Sequence, residues 1–186
     1  RTIQDEFKAF GFDVDIVAKK KSIHSDIESA FLKKTSSIYD VRILSRQMIK
    51  IKFEVDTCPP LGFAVQERLL IHPYSFYVKC FSLPDLFAGK MHALLFRQWK
   101  NRVKGRDWYD FEWYVKQGVE LNLDHFAGRA LQSGNLENDS LHKADFLDLV
   151  QKKMQQLDVE SAHQDVVRFI RDPSQLEIWS QEFTRV

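Results

Sequence analysis

Residues 82–115 read SLPDLFAGKMHALLFRQWKNRVKGRDWYDFEWYV, and this stretch predicts two helices around a short loop rich in cations. In the first helix, cations and leucines share one stripe that should face the core: Leu86, Lys90, Leu94 and Arg97. In the second, carboxylates border an inward-facing aromatic face at the i, i+3, i+4, i+7 positions: Asp107, Asp110, Phe111 and Tyr114. We therefore expect opposite charges from two adjacent helices to meet at one rim.

These charges have a structural and a functional interpretation. Asp107 lies where an anionic side chain stabilises a helix N-terminus, and Lys90 with Asp107 or Asp110 would form an ion pair between packed helices. Alternatively, the same groups form a functional site, because ion-pair networks and functional sites share this pattern. Arg97 would bind phosphate or pair with Asp110, and the spacing favours the pair.

The order of the other patterns predicts an α+β fold. Alternation and turn-forming residues predict strands at 12–18, 29–35, 39–44, 49–57, 63–71 and 75–81. Helical periodicity predicts helices at 84–98, 107–117, 123–132, 141–156, 159–171 and 174–183. We expect a mixed, mostly antiparallel sheet within a strand-rich part at residues 1–81, followed by a helical bundle at residues 82–186.

Composition narrows the partners only slightly. The 27 Lys and Arg residues nearly balance the 26 Asp and Glu residues, so net charge predicts neither nucleic-acid nor membrane binding. There is no apolar run of membrane-spanning length, and the two cysteines are typical of a reducing compartment, so we expect a cytoplasmic protein without a membrane partner. The six histidines lack the spacing of a zinc site.

Two acidic pairs lie on predicted strands. In residues 49–57, IKIKFEVDT, the acids Glu54 and Asp56 share one strand face with lysines, opposite an apolar face. A solvated outer strand would have the same pattern. Asp13 and Asp15 also alternate with apolar residues, and without a neighbouring small-residue turn they are best interpreted as a solvent-facing pair.

The cationic loop at residues 98–106 has two interpretations as well. Its sequence is QWKNRVKGR, with tryptophan at each flank, and its cations are Lys100, Arg102, Lys104 and Arg106. Cations beside aromatic rings are typical of surfaces that bind RNA or single strands, where phosphates contact the charges and bases stack on the rings. A solvated loop between helices would carry the same charges.

Several of these positions together resemble a known family. They are Leu86, Phe87, Ala88, Lys90, Ala93, Leu94 and Arg97, followed by Gly105, Arg106, Asp107, Tyr109 and Asp110. This pattern is similar to the C-terminal signature of the AbiEii/AbiGii-type nucleotidyltransferase toxins. The resemblance implies a nucleotidyltransferase-like fold and transfer of a nucleotide from a nucleoside triphosphate to an RNA, such as tRNA, or to a protein acceptor. It also implies Mg²⁺ as cofactor and an antitoxin as partner.

The resemblance also implies roles for individual residues. Lys90, Asp107 and Glu54 would be catalytic, and Lys90, Arg97 and Asp110 would bind the nucleotide. Glu54, with Asp56 as the alternative, would be an acidic metal ligand, since Mg²⁺ prefers hard, charged oxygen ligands. The cations of the loop would contact the RNA acceptor.

One family feature is missing from the sequence. Members carry a Gly-Gly-Ser/Thr turn followed by an Asp-x-Asp strand, and this chain has no such turn. We therefore expect the chain to be the downstream part of a longer protein, truncated or degenerate, and inactive by itself. The alternative function is a non-catalytic protein- or RNA-binding module derived from a decayed transferase.

Overall fold

The structure is a computed structural model that describes residues 5, 8–9, 14–18, 27–34, 49–56, 58–72, 74–99, 102–177 and 179. For residues 14–18, 27–34 and 49–55 the description is of the backbone. The chain divides into two compact units, Arg1–Pro59 and Pro60–Val186. The functional division into residues 1–81 and 82–186 stays a prediction.

The first unit contains a three-stranded antiparallel sheet with strand order β1-β2-β3. Its strands are β1 (Val14–Ala18), β2 (Ile27–Lys34) and β3 (Ile49–Asp56). Asp15 lies opposite Lys33 and Glu54 lies opposite Ser29 in the register. The strands predicted near these positions are confirmed, whereas the strand predicted at 39–44 lies outside the described residues.

The second unit begins with an antiparallel hairpin and continues with helices, so the predicted α+β class is confirmed. The hairpin strands are β4 (Val65–Leu70) and β5 (Phe76–Phe81). The described helices are α1 (Leu83–Phe96), α2 (Gly105–Lys116), α3 (Leu123–Gln132), α4 (Lys143–Gln155) and α5 (Val159–Val167). None of them is long and apolar enough to cross a membrane.

The helix predicted at residues 174–183 is described at residues 174–177 and 179, where its first turn is a 3₁₀ helix in place of an α-helix. Pro173–Leu176 forms a 3₁₀ helix, in which the amide of Glu177 donates to the carbonyl of Ser174. The amide of Trp179 likewise donates to the carbonyl three residues earlier. The indole of Trp179 is anchored by a 2.7 Å hydrogen bond to the buried Glu112 carboxylate, which holds the chain against α2.

The buried face of α1 differs from the predicted stripe. Its buried residues include Phe87, Met91 and Leu94, whereas Leu86 is 40% exposed. Phe87 stacks on Tyr114 of α2 with the ring centroids 4.6 Å apart. The buried face of α1 is thus shifted by about one position from the predicted stripe, of which Leu94 is buried whereas Lys90 lies exposed at the rim.

Gly105 allows α2 to pack closely against α5. A Cβ atom at this position would lie 1.9 Å from the carbonyl oxygen of Ala162 and 3.2 Å from the Cβ of Val166. The amide of Gly105 donates to the Asp165 carboxylate at 3.1 Å, which satisfies one of the free donors at the start of α2. Packing thus requires a glycine in the Gly-Arg-Asp unit.

Asp85 connects three segments at the start of α1. It is 2% exposed, and its carboxylate accepts hydrogen bonds from the Ser82 hydroxyl, the Ala64 amide at 2.8 Å and the Asn122 side chain at 2.7 Å. Ser82 in turn caps α1 by accepting from the Asp85 amide. This network ties the segment before β4 and the start of α3 to α1.

Candidate functional site

Lys90 and Asp110 form an ion pair between α1 and α2. Their Nζ and Oδ2 atoms are 2.5 Å apart, and the side chains are 49% and 35% exposed. Asp110 is one of the two carboxylates predicted as partners of Lys90, so that pairing is confirmed and the predicted pairing of Arg97 with Asp110 is wrong. An ion pair this exposed contributes only about 0–1 kcal/mol to stability, so it does little to explain why the charges are there.

Asp107 has a different cationic partner. Its Oδ1 lies 3.5 Å from Nζ of Lys104, and both side chains are largely buried. Asp107 lies in the first turn of α2, where its negative charge interacts favourably with the helix dipole, and the N-cap residue Lys104 makes no side-chain capping hydrogen bond. Lys90 and Asp107 are not paired with each other, although both line the same cleft.

This cleft lies between α1, α3 and the start of α2, and we call it the α1–α3 cleft. Its volume is about 320 Å³. Its ionisable lining is formed by Lys90, Arg97, Lys104, Arg129, Asp85, Asp107 and His125. Four cations thus face two carboxylates, one of which, Asp85, is saturated with hydrogen bonds. Asp110 pairs with Lys90 from outside this lining, and the positive charge that remains in the cleft suits an anionic ligand.

Two histidines, His125 in the cleft lining and His92 on α1, have lowered pKa values. Burial, followed by the charge of Arg129, lowers the pKa of His125, and the same causes lower the pKa of His92. His125 is buried, and its Nδ1 has no hydrogen-bond partner within the described residues. By contrast, burial raises the pKa of Asp85, but its hydrogen bonds outweigh burial and hold the pKa below the usual value.

Two further cavities adjoin the α1–α3 cleft, and Lys104 and Asp107 line all three. The first, of about 290 Å³, we call the Trp99 pocket; its polar and aromatic lining includes Arg97, Trp99, Arg102, Lys104, Asp107 and Lys153. The second, of about 400 Å³, is lined in part by Arg106, Asp110 and Phe169. The buried Lys104–Asp107 pair therefore lies where three cavities meet.

The structure distributes the loop cations predicted to bind nucleic acid over this region. Arg102 pairs with Asp165 at 3.3 Å, and Lys104 lies 4.4 Å from the centre of the Trp99 ring. Arg106 lies over the ring of Phe169 at 4.8 Å. Lys100 lies outside the described residues. The loop thus places Arg102 and Lys104 in the Trp99 pocket, and Lys104 and Arg106 in the neighbouring cavity.

The predicted metal ligands belong to the first unit. Glu54 is in β3, where the backbone is described, and Asp56 ends that strand with an exposed side chain. The Asp56 carboxylate accepts a 3.1 Å hydrogen bond from the Cys58 amide. Over the ranges that the structure describes, no three His, Cys, Asp or Glu side chains lie close enough together to hold a metal ion.

The sequence patterns missed several residues of this region: Asp85, His125, Arg129 and Lys153. His125 and Arg129 are four residues apart on α3, and this spacing puts them on one helix face with the buried Phe126 and Ala130 close by. The sequence pattern therefore could have identified His125 and Arg129, because polar groups that border an apolar helix face are visible in it. Lys153 gives no such signal, because it lies in an ordinary basic last turn of α4.

Comparison with known proteins agrees with the resemblance. The family model described as nucleotidyl transferase AbiEii toxin, type IV toxin–antitoxin system, matches residues 2–184. No curated protein matches the chain. The family match covers nearly the whole sequence, including both helices that carry the Lys90–Asp110 pair. The chain therefore belongs to the AbiEii family of nucleotidyltransferase toxins of type IV toxin–antitoxin systems.

Proposed function

We propose that the intact protein transfers a nucleotide from a nucleoside triphosphate to an acceptor, and that the α1–α3 cleft binds the triphosphate. One observation carries this proposal: Lys90, Arg97, Lys104 and Arg129 converge on a single cleft from two helices and a loop. A triphosphate needs such a concentration of positive charge, whereas the fold does not.

In the proposed reaction, an acceptor oxygen attacks the α-phosphate, the bond to the β-phosphate breaks, and pyrophosphate leaves. Negative charge builds up on the leaving group, and cations that are already in place stabilise it. We assign this role to Lys90 and Arg97. Lys90 is a point charge on a flexible stem, and it can contact phosphate while Asp110 still orients it.

Asp107 has a positioning role in this proposal. Its carboxylate lies 3.5 Å from the ammonium group of Lys104, where both side chains line the cleft. We propose that it keeps Lys104 directed toward the phosphates and away from solvent. Asp110 orients Lys90 in the same way, so each aspartate positions one lysine.

We also propose that the protein binds Mg²⁺ through carboxylates of β3. Glu54 and Asp56 carry the hard carboxylate oxygens that Mg²⁺ prefers, and Mg²⁺ held by them would supply positive charge for phosphate chemistry. Manganese added to isotopically labelled protein tests this without an activity assay. Resonances near Glu54 should broaden, and the broadening should be lost in Glu54→Gln.

The acceptor that we propose is RNA, with tRNA as the first candidate and a protein acceptor as the alternative. The support is the arrangement of Arg102, Lys104 and Arg106 next to the cleft. The type IV family implies an antitoxin partner. We place the toxin and its antitoxin in the cytoplasm, where nucleoside triphosphates and tRNA are found and where thiols such as those of Cys58 and Cys80 stay reduced.

The experiment that tests this function replaces Lys90 in the full-length protein. Lys90→Ala should reduce nucleotide transfer by at least about 100-fold, as expected for loss of a group that stabilises transition-state charge. Its melting temperature should hardly change, because the Lys90–Asp110 pair is exposed. Lys152→Ala, on the exposed face of α4, is the matched control and should keep full activity. If Lys90→Ala lost activity and its melting temperature fell as well, Lys90 would have a structural role.

A second candidate function is a non-catalytic binding module. The observation in its favour is that the sequence has no Gly-Gly-Ser/Thr turn, which the family uses next to its first carboxylates. We expect the 186-residue chain incubated with labelled nucleoside triphosphates, Mg²⁺ and total tRNA to form no labelled product. Labelling by the pure chain would show that its own residues complete the active site, and the binding module would be excluded.

A further inference from the structure

We propose that the Trp99 pocket binds a phosphodiester group of an acceptor RNA strand, with Lys153 and Arg97 as its phosphate ligands. This inference rests on the proposed function, and it adds a binding site and a residue, Lys153, that the family match does not assign. The site is built from three separate parts of the second unit. Arg97 follows α1, Arg102 and Lys104 lie in the loop before α2, and Lys153 lies near the end of α4.

The Trp99 pocket carries more positive than negative charge, which favours binding of an anion. Four cations line it against a single carboxylate, that of Asp107. Two of those cations already have partners, since Lys104 pairs with Asp107 and Arg102 pairs with Asp165. Within the described ranges, Arg97 and Lys153 have no carboxylate partner. Lys153 is also only partly exposed, so part of its hydration is already lost, which favours a bound anion over solvent.

The neighbouring groups favour a nucleic-acid strand as the source of that anion. Trp99 is 42% exposed and lines the pocket, and an exposed indole offers a surface on which a base can stack. Lys104 lies 4.4 Å and Arg102 5.9 Å from its ring centre, so phosphate-binding groups surround the indole. A nucleotide unit offers both a phosphate for these cations and a base for the indole.

The position of the pocket favours the acceptor over a second nucleotide. Arg97, Lys104 and Asp107 line both the Trp99 pocket and the α1–α3 cleft. A strand bound in the Trp99 pocket would therefore end beside the cleft in which the triphosphate is proposed to bind. That is the arrangement that transfer to a strand end requires, because both reactants must lie within reach of each other.

The test measures binding of a fluorescein-labelled 12-nucleotide oligouridylate to the 186-residue chain by fluorescence anisotropy. Lys153→Gln should weaken binding about threefold at 0.1 M salt and reduce the steepness of the salt dependence by about 0.7, as expected for one lost phosphate contact on a single strand. Lys152→Gln is the control, because it removes the same charge from the adjacent, exposed position, which lines none of the three cavities. It should leave both quantities nearly unchanged.

Two further variants keep the test decisive. Lys153→Arg should restore binding, since it keeps the charge, and Arg97→Gln should weaken binding about as much as Lys153→Gln. All variants should keep the wild-type circular dichroism spectrum. Equal weakening in Lys152→Gln and Lys153→Gln would show diffuse attraction without a pocket and would overturn the inference. Absence of binding by the wild-type chain would also overturn it and would favour a protein acceptor.

The failure of this inference is distinguishable from the failure of the proposed function. Binding of ATP to the α1–α3 cleft should depend on Lys90 and be unchanged in Lys153→Gln, because Lys153 does not line that cleft. ATP binding without oligouridylate binding would leave the transferase proposal in place and remove the Trp99 pocket. Binding of oligouridylate that depends on Lys153, together with full nucleotide transfer by Lys90→Ala, would support the Trp99 pocket and remove the proposed role of Lys90 in transfer.

Discussion

Replacing Gly105 by alanine should disrupt the packing of α2 on α5 and thereby the cavities around Asp107. The new Cβ would lie 1.9 Å from the carbonyl oxygen of Ala162 and 2.9 Å from its carbonyl carbon. Normal contacts between such atoms are about 3.5 Å, so the helices must separate by more than about 1 Å. The obstacle is backbone, which cannot rotate away as a flexible side chain can.

We expect Gly105→Ala to lower the free energy of unfolding by about 3 kcal/mol, at the upper end of the usual cost of overpacking. For a chain of this size, that corresponds to a fall in melting temperature of roughly 6–12 °C. Urea unfolding followed by circular dichroism and by tryptophan fluorescence measures the loss. Trp108 is a useful probe because it is buried in α2 only three residues from the substitution.

Gly128→Ala is the matched control on α3. Its Cβ would meet only the Cβ of Pro60, at 4.0 Å, which is an ordinary contact. An alanine in place of a helical glycine should therefore stabilise the chain, by up to about 1 kcal/mol. If Gly105→Ala proved as stable as Gly128→Ala, the close approach of α2 and α5 would be refuted, and the glycine of the Gly-Arg-Asp unit would need a functional explanation.

Three other outcomes follow from buried polar groups. Asp85→Asn turns one acceptor into a donor within a network of donors and should lower the free energy of unfolding, measured with urea, by about 3 kcal/mol. Because the folded-state pKa of Asp85 is lowered, the stability that its carboxylate contributes in the wild-type chain should be present above about pH 4 and be lost as the pH falls further. His92 and His125 have lowered pKa values, so the unfolded chain binds more protons below about pH 6.5, and stability should fall from pH 7 to pH 5; a flat profile over this range would contradict their burial as neutral rings. Trp179→Phe removes the donor 2.7 Å from the Glu112 carboxylate and should cost about 2 kcal/mol, measured by thermal melting, whereas an unchanged melt would mean that this anchor is not needed.

The sequence by itself determined the class of fold and the position of its elements. Alternation over a few residues predicted β3, and helical periodicity predicted α1 to α5 to within a few residues, because both periods depend on local backbone geometry. Helix ends were equally local: Gly118 adopts a positive φ of 62° just after α2, as glycine there commonly does. The sequence also indicated Lys90 and Asp107 as candidate site residues, since charged residues at the edge of an apolar stripe are visible in the pattern.

Only the tertiary structure decided which charges meet. The sequence left Asp107 and Asp110 open as partners of Lys90, and the packed helices pair it with Asp110 while Arg97 lines two of the cavities. Arg129 and Lys153 join the same region from α3 and α4, dozens of residues away in the chain. Periodicity reports which face of an element is buried but carries no information on which other element covers it. The excess of positive charge beside Asp107 therefore exists only after the helices have packed.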